Sequence, residues 1–409
     1  MTERLFTKNF TLLVLGQVSS LFGNYILRLA LSMYVLELTG SAAVFAGLLS
    51  AATIPVILLS PFGGILADRA DRRNIMVALD AMTGTAVLCA ALLLSDRRAL
   101  VVIGALLVLL SVLGAFETPT VQACIPSMLT GDNIIRGNAV VNQTASISYL
   151  TAPLLGGIFY AAFGIKPVMY ASVLCFFVTA LLECFIRLDY RPAGFGGNAF
   201  AAAKADFLDS LRFIGKERRD ILRILLLAAL SRFFVMGVTL VGLPFLVRTV
   251  LGLDAGYYGA AESVLAVAVI AGSMAAGVLA GKVQKGGLSP MLAAVGLCIV
   301  PAGLAFLLPA GTGVRYAVLV AAFCGMQIAI SMFSIYAVSM IQQGTPEHMI
   351  GKVMAYTSAI TMCAQPVGQM VYGFLFDGCK EAVWLVLIPT GVIVWGIGMA
   401  IGTVNLKEA

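Results

Sequence analysis

The chain has 409 residues, 60% hydrophobic and only 11% charged, with a mean hydropathy of +1.00. Soluble domains carry about 25% charged residues, so this composition excludes an ordinary soluble domain and points to a bilayer. The net charge of +6 calls for no nucleic-acid partner, because membrane chains gather lysine and arginine on their cytoplasmic side and no basic stretch here is interleaved with aromatics.

Twelve apolar runs cover 9–36, 43–67, 74–95, 99–129, 137–162, 167–187, 221–250, 256–281, 288–309, 315–341, 352–376 and 382–404. A helix needs roughly 20 residues to cross hydrocarbon. The runs are too long and continuous for alternating barrel strands, and in lipid only helices or closed barrels satisfy their own backbones. The predicted fold is an all-α bundle of twelve transmembrane helices. No small-residue cleavage site follows the first run, which is expected to remain as a span. Of the 26 lysines and arginines, only Arg97, Arg98, Lys166, Arg248, Arg315 and Lys380 fall on the side opposite the N-terminus, with Arg28 and Arg232 inside spans. Both termini are therefore expected in the cytoplasm, and the chain in the cytoplasmic membrane.

Taken in chain order, span 1 carries Asn24 and Arg28. Between spans 2 and 3 lies Gly64-Ile-Leu-Ala-Asp68-Arg69-Ala-Asp71-Arg72-Arg73, whose five ionised groups require a tight hairpin at the membrane surface. Span 3 holds Asp80, near its cytoplasmic end, where the expected partners are the arginines of that hairpin. Span 4 holds Glu117, its one charge, with Gln122 and Pro119, and Arg136 follows it. Span 5 contains Ala152-Pro153-Leu-Leu-Gly156-Gly157, a proline that frees a backbone carbonyl beside glycines that admit a second helix at close range. The segment 188–220 is the long polar break between halves, and Phe207, Leu208, Leu211 and Ile214 recur there at helical spacing. Span 7 carries Ser231 and Arg232, span 8 Glu262, span 10 Gln327 and Tyr336, and span 11 Gln365, Pro366 and Gln369.

Five ionisable residues lie inside spans by this reading: Arg28, Asp80, Glu117, Arg232 and Glu262. Burying such groups is costly and marks a substrate or ion path. Glu117, Glu262 and Asp80 are the proton-coupling candidates, and a fixed structural salt bridge is the competing role for each. The halves also echo one another at an offset of 213 residues: Gly64-Ile-Leu-Ala aligns with Gly277-Val-Leu-Ala, and Pro153 with Pro366. Internal repetition of this kind is a feature of transporters. The expected domains are a six-helix bundle over 1–187, a linker with an amphipathic helix over 188–220, and a second bundle over 221–409.

The pattern Gly-x-x-x-Asp-Arg-x-x-Arg-Arg at Gly64–Arg73 resembles the loop signature of the major facilitator superfamily, and its Asp-Arg-x-Asp-Arg-Arg form resembles the macrolide-efflux branch of drug-proton antiporters. Asp71 stands where most members have glycine. The run at Pro153, Gly156 and Gly157 resembles the antiporter signature of the superfamily, with Ala152 in place of its first glycine. The resemblance covers essentially the whole chain. It implies a cavity lined by Asn24, Arg28, Glu117, Gln122, Ser231, Arg232, Gln327 and Tyr336, and packing of Gln365 and Gln369 against span 2. It also implies gating by Gly64, Asp68, Arg69, Asp71, Arg72, Arg73 and Arg136, with Asp68 capping the start of span 11. The implied activity is proton-coupled export of drug-like or amphipathic compounds by alternating access. Competing expectations are a lysolipid or siderophore transporter, favoured by two buried arginines, and a sensor or scaffold that has lost transport.

Conventional enzyme chemistry finds no motif. His348 is the single histidine, the eight cysteines contain no Cys-x-x-Cys, and no phosphate-binding Gly-x-x-x-x-Gly-Lys-Ser/Thr occurs. No metal, ATP or other cofactor is expected. The proton gradient is the expected energy source, and the expected partners are a small-molecule substrate and the bilayer, with the chain a monomer.

Overall fold

The structure is a computed structural model and describes residues 5–95, 97–188, 219–279, 288–346 and 350–403. The amphipathic segment expected after 188, His348 and the second copy of the loop repeat beyond 279 lie outside the described residues, as do the side chains of Asp68 and Arg69.

Among the described residues the chain is built of helices alone. They are α1 (Lys8–Thr39), α2 (Ala42–Arg69), α3 (Arg72–Leu93), α4 (Ala99–Met128), α5 (Asp132–Phe163), α6 (Ile165–Cys184), α7 (Arg219–Met236, continuing to Val250), α8 (Ala255–Leu279), α9 (Leu288–Leu307), α10 (Thr312–Gly344), α11 (Ile350–Gly378) and α12 (Trp384–Thr403). All twelve predicted spans have their helix, with ends within a few residues of expectation. Ten of the helices are apolar over a length that crosses a bilayer.

Contacts divide the chain into two units. The first comprises Met1–Thr39, Ala51–Phe195 and Leu253–Ser263, and the second Gly40–Ser50, Gly196–Gly252 and Val264–Ala409. The opening turns of α2 and of α8 thus pack with helices of the opposite half of the sequence.

In the first unit α1 packs on α5 and α6, and α3 on α4 and α6. With lipid outside the bundle, apolar side chains gain little by choosing a neighbouring helix over a lipid tail, so small residues and interhelical hydrogen bonds set the packing. Accordingly, the Ser172 hydroxyl donates to the Gly23 carbonyl and the Thr179 hydroxyl to the Gly16 carbonyl, both at 3.1 Å. In the second unit α9 packs on α12 and α10, and α11 on α7. Gly391 of α12 approaches the Gly296 carbonyl so closely that a Cβ there would sit 2.8 Å from it. Beyond Met236, α7 widens to π-helical pitch over Gly237–Gly242 and Leu246–Val250, where Gly237 and Gly242 make room for the Tyr372 and Phe376 rings of α11.

Two helix starts are capped by acids. Asp71 is the N-cap of α3 and accepts a hydrogen bond from the Arg73 backbone N–H at 3.1 Å. The acid at this position therefore has a local use, satisfying a backbone donor that the first turn leaves open. Asp71→Ala is expected to cost about 1 kcal/mol, read as a lower unfolding midpoint of the purified protein. At the other end, Asp377 near the close of α11 accepts from the Ala42 N–H at 2.6 Å, the Ala43 N–H at 3.0 Å and the Ser41 hydroxyl. It places negative charge against the positive end of the α2 dipole.

Candidate functional site

The first unit encloses a cavity of about 460 Å³, within the range that receives drug-sized ligands. Helices α1, α4 and α5 supply most of its wall, and Asn24, Arg28, Glu117 and Gln122 all line it. Asn24 and Arg28 are one turn apart on α1, a spacing that puts them on one face, and the Arg28 Nε donates to the Asn24 Oδ1 at 2.7 Å. Arg28 interacts electrostatically with Glu117, and Tyr25, in the same wall, with both.

Below Glu117 the site deepens into a cluster of acids on three helices. The Ser20 hydroxyl of α1 lies 3.0 Å from Asp80 Oδ1 and 3.3 Å from Glu117 Oε1. A hydroxyl has one proton to donate, so it serves only one of the two carboxyls fully at a time. Asp80 also lies within hydrogen-bonding reach of Glu183 on α6. Asp80 and Glu183 are 2% and 0% exposed, and Asp80 Oδ2 and both Glu183 carboxyl oxygens find no donor. Two bare carboxylates 4 Å apart repel by about 4 kcal/mol even at an effective dielectric near 20. For Arg72 and Arg73 this arrangement corrects the expected pairing of Asp80 with the hairpin arginines, the Arg69 side chain lying outside the described residues. Arg72 instead donates to the Ala123 carbonyl and Ser127 of α4, and Arg73 to the Cys184 carbonyl at the end of α6.

Glu262 sits in the second turn of α8, within the first unit. Tyr258, one turn earlier, neighbours its carboxyl, while Glu262 Oε1 is buried without a partner. Tyr149 of α5 is a further neighbour of Glu262, and its ring meets Tyr25 edge to face at 5.6 Å between centroids. Tyr149 thus links Glu262 to Tyr25 in the wall of the cavity that holds Arg28 and Glu117.

The antiporter-like run shapes this region through its backbone. A Cβ on Gly157 would lie 2.5 Å from the Ala255 carbonyl oxygen, and one on Gly156 would lie 3.1 Å from the Ile26 Cα. Gly259 of α8 in turn abuts the Pro153 carbonyl. Pro153, Gly156 and Gly157 therefore seat α5 against both α1 and the start of α8.

The second unit has its own cavity, of about 490 Å³, lined by Ser231, Arg232 and Gln327 together with Ser273, Ser331, Ser334, Thr357 and Thr361. Arg232 Nη2 donates to Gln365 Oε1 at 3.3 Å, and Arg232 Nε, Gln327 Oε1 and Thr357 Oγ1 are buried without partners. Gln369 behaves as the resemblance implied: Ser50 of α2 donates to Gln369 Oε1 at 3.3 Å and to the Pro366 carbonyl at 3.0 Å. Two placements differ from expectation. The Tyr336 hydroxyl donates to the Ala276 carbonyl of α8 at 3.2 Å and lines neither cavity. Arg136 belongs to the second turn of α5 and is exposed, because that helix starts earlier than its apolar run. Glu183 was missed by the sequence reading. Its one signal is an acid four residues before Arg187 inside an apolar run.

Two helical units, each with a polar cavity walled by helices that cross the bilayer, define a multi-pass membrane transporter and not an enzyme. A family model, the Major Facilitator Superfamily, matches residues 13–371, and the chain belongs to that family. Among curated proteins it is similar to macrolide efflux protein A of Streptococcus pyogenes, 22% identical over 386 residues that cover 92% of each chain. It is also similar to the staphyloferrin A transporter of Staphylococcus aureus, 27% identical over 187 residues covering 44% of each chain. Among solved structures, the nucleoside transporter NupG superposes with a TM-score of 0.74 at 13% identity, covering 97% of this chain and 99% of that one. At that identity the likeness shows the fold.

Proposed function

We propose that the chain is a proton-coupled exporter of amphipathic, drug-like compounds in the cytoplasmic membrane, with both termini in the cytoplasm and two six-helix repeats alternating access to the substrate. The observation that carries this reading is Glu117: a carboxyl in the wall of a drug-sized cavity, sharing the Ser20 hydroxyl with Asp80 and facing Arg28. A group so placed can exchange a proton for a cationic substrate, since either one satisfies the same buried negative charge. The similarity to macrolide efflux protein A supports the drug-like substrate. The gating role of Gly64, Asp68, Arg69, Asp71, Arg72, Arg73 and Arg136 is carried over from the family loop.

The test is flux in proteoliposomes. Purified full-length protein under an imposed pH gradient is expected to drive a macrolide or a cationic dye against its gradient, and to stop when a protonophore collapses the gradient. Flux indifferent to the pH gradient would sink the coupling, and absence of any flux would leave the sensor or scaffold.

A second reading has its own observation. The cavity of the second unit sets Arg232 among hydroxyls, with no acid among its lining residues, and an arginine so placed receives a carboxylate or phosphate. The similarity to the staphyloferrin A transporter points the same way. On this reading, anionic lysolipids or polycarboxylates compete with the cationic dye, and Arg232→Gln removes that competition while leaving flux of the dye itself intact.

A further inference from the structure

We propose that Asp80 and Glu183 hold one proton between them, as a proton-binding site separate from Glu117 and linked to it through Ser20. The part of the inference that concerns transport rests on the proton-coupled reading above. The site itself rests on the arrangement of its atoms.

Glu183 is wholly buried on α6, within hydrogen-bonding reach of Asp80 on α3. Neither of its oxygens meets a donor, and Asp80 Oδ2 meets none either. A carboxylate is an acceptor only, so two carboxyls can bond to each other only if a proton lies between them. Like charges sharing a dry site resolve in this way in other proteins, by binding one proton jointly. Gln17, three residues before Ser20 on α1, is 6% exposed with its Nε2 unsatisfied, and it lines the cavity beside Ser20 and Glu117. The charged and titratable groups that bear on the pair are Glu117 and Cys124 from α4 and Cys184 beside Glu183 on α6, whose carbonyl the Arg73 guanidinium of α3 bonds. α1 brings the neutral Ser20 to Asp80 and Gly16 to Glu183. Among the described residues no cation bonds either acid.

Ser20 ties the pair to the cavity, since its hydroxyl reaches Asp80 at 3.0 Å and Glu117 at 3.3 Å. When a departing cationic substrate leaves Glu117 as a bare carboxylate, rotation of one hydroxyl turns the donor from Asp80 to Glu117. The Ser20 oxygen then accepts the proton held by Asp80 and Glu183 as it donates its own to Glu117. Glu117 gains one proton and the pair loses one, which the pair recovers from solvent. The pair lies at the end of α6 that leads into the 188–220 segment, which the positive charge bias puts on the cytoplasmic side.

Infrared spectroscopy of the purified full-length protein in lipid tests the site without measuring transport. At neutral pH the wild type is expected to show the C=O stretch of a protonated carboxyl that shifts in heavy water. Glu183→Gln is expected to lose that band, because the glutamine amide donates the bond that the proton made. Asp80→Asn is expected to lose it for the same reason, since the asparagine amide donates to Glu183, and Glu117→Gln to retain it. The proposal is overturned if the wild type has no such band, or if Glu183→Gln and Asp80→Asn both leave it unchanged. A spectrum that responds to sodium at fixed pH would replace the proton with a sodium ion. Should Glu183→Gln fail to fold, the wild type and Asp80→Asn still decide the matter. Failure of gradient-driven flux with the band intact would remove the coupling and keep the site.

Discussion

Glu117→Gln is expected to fold, to bind a cationic substrate more weakly and to move it only downhill. A pH gradient of one unit is worth about 1.4 kcal/mol per proton, which sustains about tenfold accumulation of a substrate exchanged one for one. The wild type is expected to approach that ratio in proteoliposomes, and Glu117→Gln to fall to equal concentrations on both sides. The amide keeps the shape of the side chain and can still bond the Ser20 hydroxyl, which lies 3.3 Å from Glu117 Oε1, so the loss reports the missing charge and not a collapsed wall. Arg28 stays in place through its 2.7 Å bond to Asn24. Accumulation by Glu117→Gln equal to that of the wild type would remove Glu117 from the coupling step and move the test to Glu262, then to Asp80.

Hydropathy made the helices legible because in lipid a span has one solution, and the ends agreed where charge or a capping residue stops the apolar run. Asn24 and Arg28 could be placed on one face because they lie one turn apart on a single helix. The acid cluster was not legible in the same way. Asp80, Glu117 and Glu183 come from α3, α4 and α6, and no spacing within one helix predicts which faces of three helices converge. Glu183 was also obscured by its place one turn before Arg187, where an acid reads as part of the membrane-surface charge. Tyr336 was misplaced although α10 carries a signal: Gln327, Ser331 and Ser334, which line the cavity, recur at helical spacing and leave Tyr336 off their face. Arg72 and Arg73 of the hairpin turn to the ends of α4 and α6, which their charge could not reveal, since carbonyl groups at helix ends attract guanidinium as well as acids do.

Gly259→Val is expected to be the most damaging change at a residue that bears no chemistry. Gly259 abuts the Pro153 carbonyl, and a side chain there meets rigid backbone on both sides, because Gly157 is its other neighbour. Overpacking of this kind costs about 1–3 kcal/mol where the surroundings can yield, and more where they cannot. The cost has a functional side. Glu262 lies one turn beyond Gly259, with Tyr149 of α5 as its neighbour, so lifting α8 away from α5 parts the acid from its aromatic partner. A control lies within the same two turns. Gly256 has open space where its Cβ would be, and glycine inside a helix is about 0.5–1 kcal/mol worse than alanine, so Gly256→Ala is expected to leave the protein as stable as the wild type or slightly more so. Unfolding midpoints in one detergent, measured beside flux, separate the two. If Gly259→Val melts and transports as Gly256→Ala does, α8 does not depend on this backbone contact, and the antiporter-like run at Pro153, Gly156 and Gly157 does not hold α5 and α8 together.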